Sequence, residues 1–183
     1  MLRRARRLFP CFALCFVTSA AQSSVVQLDV PFVKQERNGC GAASIAMVMQ
    51  YWQRQRGLPQ TASAPEIQRA LYSKKARGIY ASAMEEYLRR NGFRPFAVRG
   101  EWQDLKHHLT MGRPLIVALK PKRGDLHYVV VTGLDWAAQI VLKHDPAERG
   151  MLRQHRSDFE REWSEAGNWT LLAVPDTDGG SSP

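Results

Sequence analysis

The chain is poor in cysteine, short of acid and without a long apolar run. Three cysteines occur in 183 residues, two of them, Cys11 and Cys15, near the amino terminus. There is no Cys-x-x-Cys pair and no His-x-x-x-His spacing, so nothing supports a zinc site at Cys40, His127 and Asp145, and no cofactor is expected. Seventeen acids against 26 basic residues give a formal net charge of +9, but Arg3, Arg4, Arg6 and Arg7 lie in an acid-free stretch, and without them the balance falls to +5. The other basic residues are spread along the chain. Only Lys74-Lys75-Ala76-Arg77 forms a run, which reads as a solvated face, and nucleic acid is not expected as a partner.

The amino terminus reads as a secretory signal peptide over residues 1–21. Met1 to Arg7 is basic, Leu8 to Val17 is apolar apart from Pro10, and Ser19-Ala20-Ala21 offers small residues before Gln22. The apolar stretch is far below the roughly 20 residues of a membrane-spanning helix, so stable membrane insertion is not expected after cleavage. Arg6-Arg7-Leu8-Phe9 faintly resembles a twin-arginine signal, but paired arginines are common in basic leaders and ordinary secretion is the expectation. Leu14 before Cys15 disfavours lipid anchoring. A periplasmic or secreted protein follows. Loss of the leader removes Cys11 and Cys15, so the mature chain keeps one thiol and no internal disulfide in a compartment that permits one. Its stability must come from a packed core, and about 160 residues suit a single domain, placed over 22–175. Residues 176–183 read as a disordered polar tail.

Val25, Val26, Leu28, Val30 and Phe32 form a strand-like lead-in broken by Pro31, followed by a polar loop and Gly39, which permits a turn. From Cys40 to about Arg54, the spacing of Ala43, Met47, Val48, Tyr51 and Trp52 predicts a helix burying one face. Ser63–Glu66, Ser82–Glu85 and Ser157–Glu160 each place serine three residues before glutamate, the pattern of a capped helix start. Glu101 to Met111 is a fifth helix, and Gly92 and Gly112 fit helix ends. Strands are expected at Pro114–Lys120, His127–Asp135, Gln139–His144, Met151–His155 and Trp169–Val174. Helices fill the first half and strands the second, which predicts an α+β domain with an antiparallel sheet.

Cys40 lies between a glycine turn and an apolar helix, where the helix dipole and a nearby cation can lower a thiol's pKa. Among five histidines, His127 opens the strongest strand. His107 and His108 lie on an exposed-looking helix, His155 follows a polar strand, and His144 should point away from its neighbour Asp145. A tight hairpin near Trp136-Ala137 would set His127 opposite Pro146, one position from Asp145. These residues suggest acyl transfer: Cys40 as nucleophile, His127 as base, Asp145 to fix the imidazole, and Gln35 with the Cys40 amide as oxyanion donors. Each residue has a plainer role available, as core thiol, strand-end histidine, turn aspartate or solvated glutamine. The joint pattern at one junction of helix and sheet favours catalysis.

Val30-Pro31-Phe32 with Gln35, Cys40-Gly41-Ala42-Ala43, Gly112-Arg113-Pro114-Leu115-Ile116-Val117, His127-Tyr128-Val129-Val130-Val131 and His144-Asp145-Pro146-Ala147 occur in an order that resembles the bacteriocin-processing double-glycine peptidases. The resemblance spans about residue 28 to 174. It implies a papain-like fold, a peptide or protein substrate, and the same roles for Gln35, Cys40, His127 and Asp145. The best-known members are the cytosolic front end of an exporter with transmembrane helices and an ATPase, neither of which is visible here, and exported stand-alone relatives are the better parallel. Cleavage after a double glycine is one expected specificity; Gly179-Gly180 in the tail needs no such explanation. A papain-like acyltransferase, similar to phytochelatin synthase in its Cys-His-Asp order, and an inactive peptide-binding module are the alternatives.

Overall fold

The computed structural model describes residues 24–148 and 150–176. The expected leader, with Cys11 and Cys15, and the tail beyond Asp176 lie outside the described residues. Within them the order is β1 (Val25–Gln27), α1 (Cys40–Gln55), α2 (Ala64–Leu71), α3 (Ala81–Arg90), β2 (Phe93–Arg99), α4 (Trp102–Thr110), β3 (Leu115–Leu119), β4 (His127–Asp135), β5 (Ile140–His144), β6 (Met151–His155), α5 (Arg156–Glu165) and β7 (Trp169–Pro175).

All strand pairs are antiparallel, in one sheet ordered β2-β7-β3-β4-β5-β6 with β1 attached to β4. β4 is the spine of this sheet. Its first half, His127–Val131, pairs with β3, while Gly133–Asp135 pairs with β1 along the same edge and β5 takes the other edge. At Gly133 the β1 backbone comes so close that a Cβ would overlap the Val26 carbonyl oxygen, which is why a glycine interrupts this otherwise apolar strand.

The sheet is the middle of three layers. Ile116, Ala118, Tyr128 and Val130 join a core with α1, α2 and α3; Leu115, Val117, Leu119, Val129 and Val131 join a second core with Leu105 of α4 and with Phe159 and Trp163 of α5. Burial on both faces explains why β3 reads Leu-Ile-Val-Ala-Leu without polar alternation. The expectation of helices packed on the sheet thus holds for three helices, and α4 and α5 cover the face that the sequence reading left open. Helix α1 also exceeds its expected single buried face, because every residue from Gly41 to Met49 is buried. A helix apolar all round belongs in a core. Its far end is pinned by the Tyr51 hydroxyl donating to the Gly112 carbonyl at 2.8 Å and the Trp52 indole N–H donating to the Ala173 carbonyl at 2.9 Å.

Two expectations need correction. None of the three serine–glutamate patterns makes a side-chain cap: Ser63 is the N-cap of α2 without a side-chain bond, and α3 and α5 begin at Ala81 and Arg156, so Ser82 and Ser157 already lie inside helices. The reciprocal capping box occurs at α4, between Glu101 and Asp104, where a carboxylate replaces serine at the N-cap. Strand β2 was also unforeseen. Arg94, Pro95 and Arg99 break its apolar pattern, and it survives because it is an edge strand pairing only with β7, where proline is tolerated.

Candidate active site

Three separate segments deliver the site: the start of α1, the start of β4, and the turn after β5. The polar loop before α1 closes through an amide of Gly39 donating to the Glu36 carbonyl at 3.0 Å. The left-handed residue of this turn is Asn38, at φ 58°, whereas Gly39 has an ordinary φ of −103°. Asparagine is among the residues that tolerate this conformation best. Glycine at 39 answers a different demand, since a Cβ there would overlap the Gln68 side chain and press on the Glu36 carbonyl. Gly41 has a similar reason: a Cβ would lie 3.2 Å from Ile79 Cβ and 3.5 Å from a Tyr128 ring carbon. Its bareness lets the first turn of α1 approach β4 and brings Cys40 to His127.

His127 Nε2 and Asp145 Oδ1 are 2.5 Å apart, with the side chains 21% and 13% exposed. With Nε2 engaged by the carboxylate, Nδ1 is the ring nitrogen left for the hydrogen bond with the Cys40 thiol. Asp145 reaches the ring by a route the hairpin argument did not foresee. The ladder pairs Val130 with His144 and, past a bulge, Gly133 with Leu142, one and two positions beyond the expected register. That offset carries the position opposite His127 past Pro146. β5 instead ends at His144 and the chain turns, Asp145 Oδ1 also accepting from the Ala147 amide at 3.0 Å and the Asp145 carbonyl from the Glu148 amide at 3.0 Å. The carboxylate is aimed by its own turn rather than by a cross-strand pair.

Burial, the largest single influence on the Cys40 thiol, pushes its pKa up. Hydrogen bonds with the His127 ring and the Tyr128 and Gly41 amides, with the charge on His127, outweigh burial and leave the thiol below its ordinary 9.0. For His127, burial is again the largest influence and pushes the ring down; hydrogen bonds with Asp145 and Cys40 and the negative charges of both carry it up to about 9. Burial raises Asp145 too, but the His127 bond, the His127 charge and the Ala147 amide hold it below the usual carboxylate range. The thiol is shifted down and the ring up, so both shifts act in the direction that passes the thiol proton to the ring and favours a thiolate beside an imidazolium.

Gln35 borders the same cleft, a cavity of about 650 Å³ that also exposes Cys40, His127 and Asp145. Its backbone amide donates to the Pro146 carbonyl at 3.0 Å, and Lys34 Nζ donates to the Glu148 carbonyl at 2.8 Å. The loop before α1 is thus tied to the turn that carries Asp145. Among the described residues Gln35 Oε1 is buried without a partner and no acceptor takes its Nε2. His144 supports this arrangement from the other side of the strand: its buried ring bonds the Val30 carbonyl through Nε2 at 2.8 Å and meets the Phe32 ring edge-on. His107 and His108 lie in the last turn of α4 and His155 at the N-cap of α5, and none borders the cleft.

A thiol, an imidazole and a carboxylate in one contact chain beside a peptide-sized cleft is an arrangement fit for acyl transfer. The sequence profile of the Peptidase_C39 like family matches residues 27–171, most of the chain and all of these residues. The chain belongs to the Peptidase_C39 like family. Solved C39 peptidase domains share its fold. The peptidase domain of Streptococcus ComA, a bifunctional ABC transporter of a quorum-sensing pathway, superposes with a TM-score of 0.63 at 21% identity, covering 79% of this chain and 98% of that one. A double glycine motif protease from an AMS/PCAT transporter, solved with its leader peptide, gives 0.64 at 23%, covering 82% and 94%. A C39-like peptidase from Bacillus anthracis gives 0.62 at 20%, covering 82% and 97%. No curated protein sequence matches the chain. The fold is therefore papain-like, as the motif order implied.

For this C39-like chain the four residues singled out from sequence come together at one cleft. The sequence reading missed the Tyr128 amide at the sulfur and the wall formed by residues 76–81 with Pro121, Asp125 and Leu126. One signal for the first was available: a glycine immediately after Cys40, inside a helix, marks a close backbone approach. Nothing in the periodicity pointed to the wall.

Proposed function

We propose that the chain is an exported cysteine peptidase that hydrolyses peptide bonds, with Cys40 as nucleophile, His127 as general base and acid, Asp145 as the group that orients the imidazole, and Gln35 as an oxyanion donor. Family membership supports the peptidase class. The single observation that carries the residue roles is the contact chain from Cys40 through His127 to Asp145, with 2.5 Å between ring and carboxylate. In the first half-reaction the Cys40 thiolate adds to the scissile carbonyl carbon. The Cys40 backbone amide, which as the first of its helix lacks an intrahelical acceptor, and the unoccupied Gln35 Nε2 donate to the oxyanion. Imidazolium then protonates the leaving amine as the carbon–nitrogen bond breaks, giving a thioester. Water, deprotonated by the now neutral ring, releases the carboxylate product and regenerates the thiol.

A peptide substrate is supported by the leader peptide held by the AMS/PCAT relative, and cleavage after a double glycine is the specificity this family suggests. The basic and apolar leader of residues 1–21 supports a periplasmic or secreted location. The test is intact-protein mass spectrometry after incubation with a peptide bearing a thiol-directed electrophile. Wild-type protein should gain one adduct at Cys40 and His127→Ala should gain it much more slowly; equal labelling of both would remove the assignment. Gln35→Ala is expected to lower kcat by about 10²–10³-fold, as loss of one oxyanion donor does, with KM little changed. Steady-state kinetics on one cleavable peptide checks it, and a rise in KM at constant kcat would make Gln35 a binding residue only.

A further inference from the structure

The basic run read from sequence as a solvated face does not lie on a remote face. Ser73 and Gly78 form a bridge that closes Lys74-Lys75-Ala76-Arg77 into a tight hairpin, with the Ala76 amide held by Ser73 Oγ at 3.3 Å. Ala76, Arg77 and Gly78 border the cleft that contains Cys40 and His127. The loop between β3 and β4 stands beside this hairpin on the same side, and the two meet where Arg77 and Asp125 approach to 3.8 Å. That loop adds Lys120, Lys122 and Arg123, all exposed. Asp125 is the only acid in the two segments and already faces Arg77, so five basic side chains have no acid within either segment to balance them. The opposite wall is mixed: Gln35, Asn38 and Glu148 line it, and Lys34 Nζ donates to the Glu148 carbonyl.

Resting on the peptidase reading above, we infer that the substrate is a peptide with acidic residues on one side of the scissile bond, the side that lies between residues 74–77 and 120–123. These bases flank the cleft, whose lining on this side carries Arg77 with Asp125, and a positive rim raises the local concentration of an anionic segment and orients it in the groove. Acid placed on the other side of the bond meets the mixed wall and gains little.

The experiment measures fluorescence anisotropy with Cys40→Ala protein and matched labelled peptides that carry aspartate, asparagine or lysine on one side or the other of a common centre. Aspartate on one side only should tighten binding about 10-fold over asparagine at low salt, the lower end of electrostatic steering, and added salt should erase the gain. Lys74→Glu/Lys75→Glu should abolish the preference, whereas Arg99→Glu/Arg153→Glu, the same charge change at exposed sites away from the cleft, should keep it. Equal binding of all peptides, equal loss in both double variants, or tighter binding of a single-stranded oligonucleotide than of the aspartate peptide would overturn the inference. Turnover is read separately with wild-type protein: an acidic preference in binding without cleavage defeats the peptidase reading and leaves this one standing, while cleavage without charge preference does the reverse.

Discussion

Replacement of Cys40 by alanine is expected to abolish peptide hydrolysis, lowering kcat by at least about 10⁴-fold, because removal of a nucleophile that acts as a unit with its base leaves only binding and the oxyanion donors. The fold should persist. Cys40 is a half-buried free thiol at the tip of α1, and the helix is held by its buried residues Gly41 to Met49 and by the Tyr51 and Trp52 hydrogen bonds at its far end. Circular dichroism and thermal unfolding should therefore match wild type within the few tenths of a kcal/mol typical of changes outside the core. Measurable hydrolysis at the wild-type rate by this variant would exclude a covalent route through the sulfur.

His127→Ala is the second large effect, with an expected loss in kcat of about 10²–10⁴-fold, the range of a general acid–base group. Two contributions combine in it. The ring holds the thiol below its ordinary pKa and also supplies the proton that the leaving amine needs. In the wild type, activity should fall on the alkaline side near pH 9, where the ring loses its proton. On the acid side it should fall as the thiolate is protonated, at a pH below the ordinary thiol value. In His127→Ala the residual activity should lose the alkaline limb and rise with pH toward the range of an unassisted thiol. A pH–rate profile of each protein checks this, and an unchanged alkaline limb in the variant would assign that limb to another group.

Strands β3, β4, β5 and β7 were legible in the sequence because burial concentrated valine, isoleucine and leucine into short runs; β4 has the bounds expected from its residues, β5 and β7 differ by a residue at one end and β3 by a residue at each, and the half-exposed edge strand β6 also has its expected bounds. Helix α1 was legible for the same reason, and Gly92 and Gly112 do take the left-handed conformation expected past helix ends, at φ 79° and 72°. Capping was less readable. Serine and glutamate three apart satisfy a local pattern, but packing set where α3 and α5 begin, and the serines fell at the second helical position, past the N-cap. Strand β2 escaped because an edge strand needs neither an apolar alternation nor an amide at every position. At the site, the residue types were readable and the geometry was not. Asp145 could be suspected from its place after β5, yet the bulge at Thr132 and the turn through Ala147 decide how it meets His127, and neither leaves a periodic trace. The role of Arg77 and its neighbours depends on which loop lies across from the hairpin, a long-range fact that no local window contains.

The pH dependence of Cys40 alkylation by iodoacetamide, followed by intact mass in wild type and in His127→Ala, reads the thiolate directly and needs no substrate. The expected result is a wild-type sulfur that reacts with an apparent pKa below the ordinary 9.0, and a variant in which the transition moves upward, because burial then acts without the opposing ring. Coincident titration curves for the two proteins would contradict the proton sharing between sulfur and imidazole on which the mechanism rests.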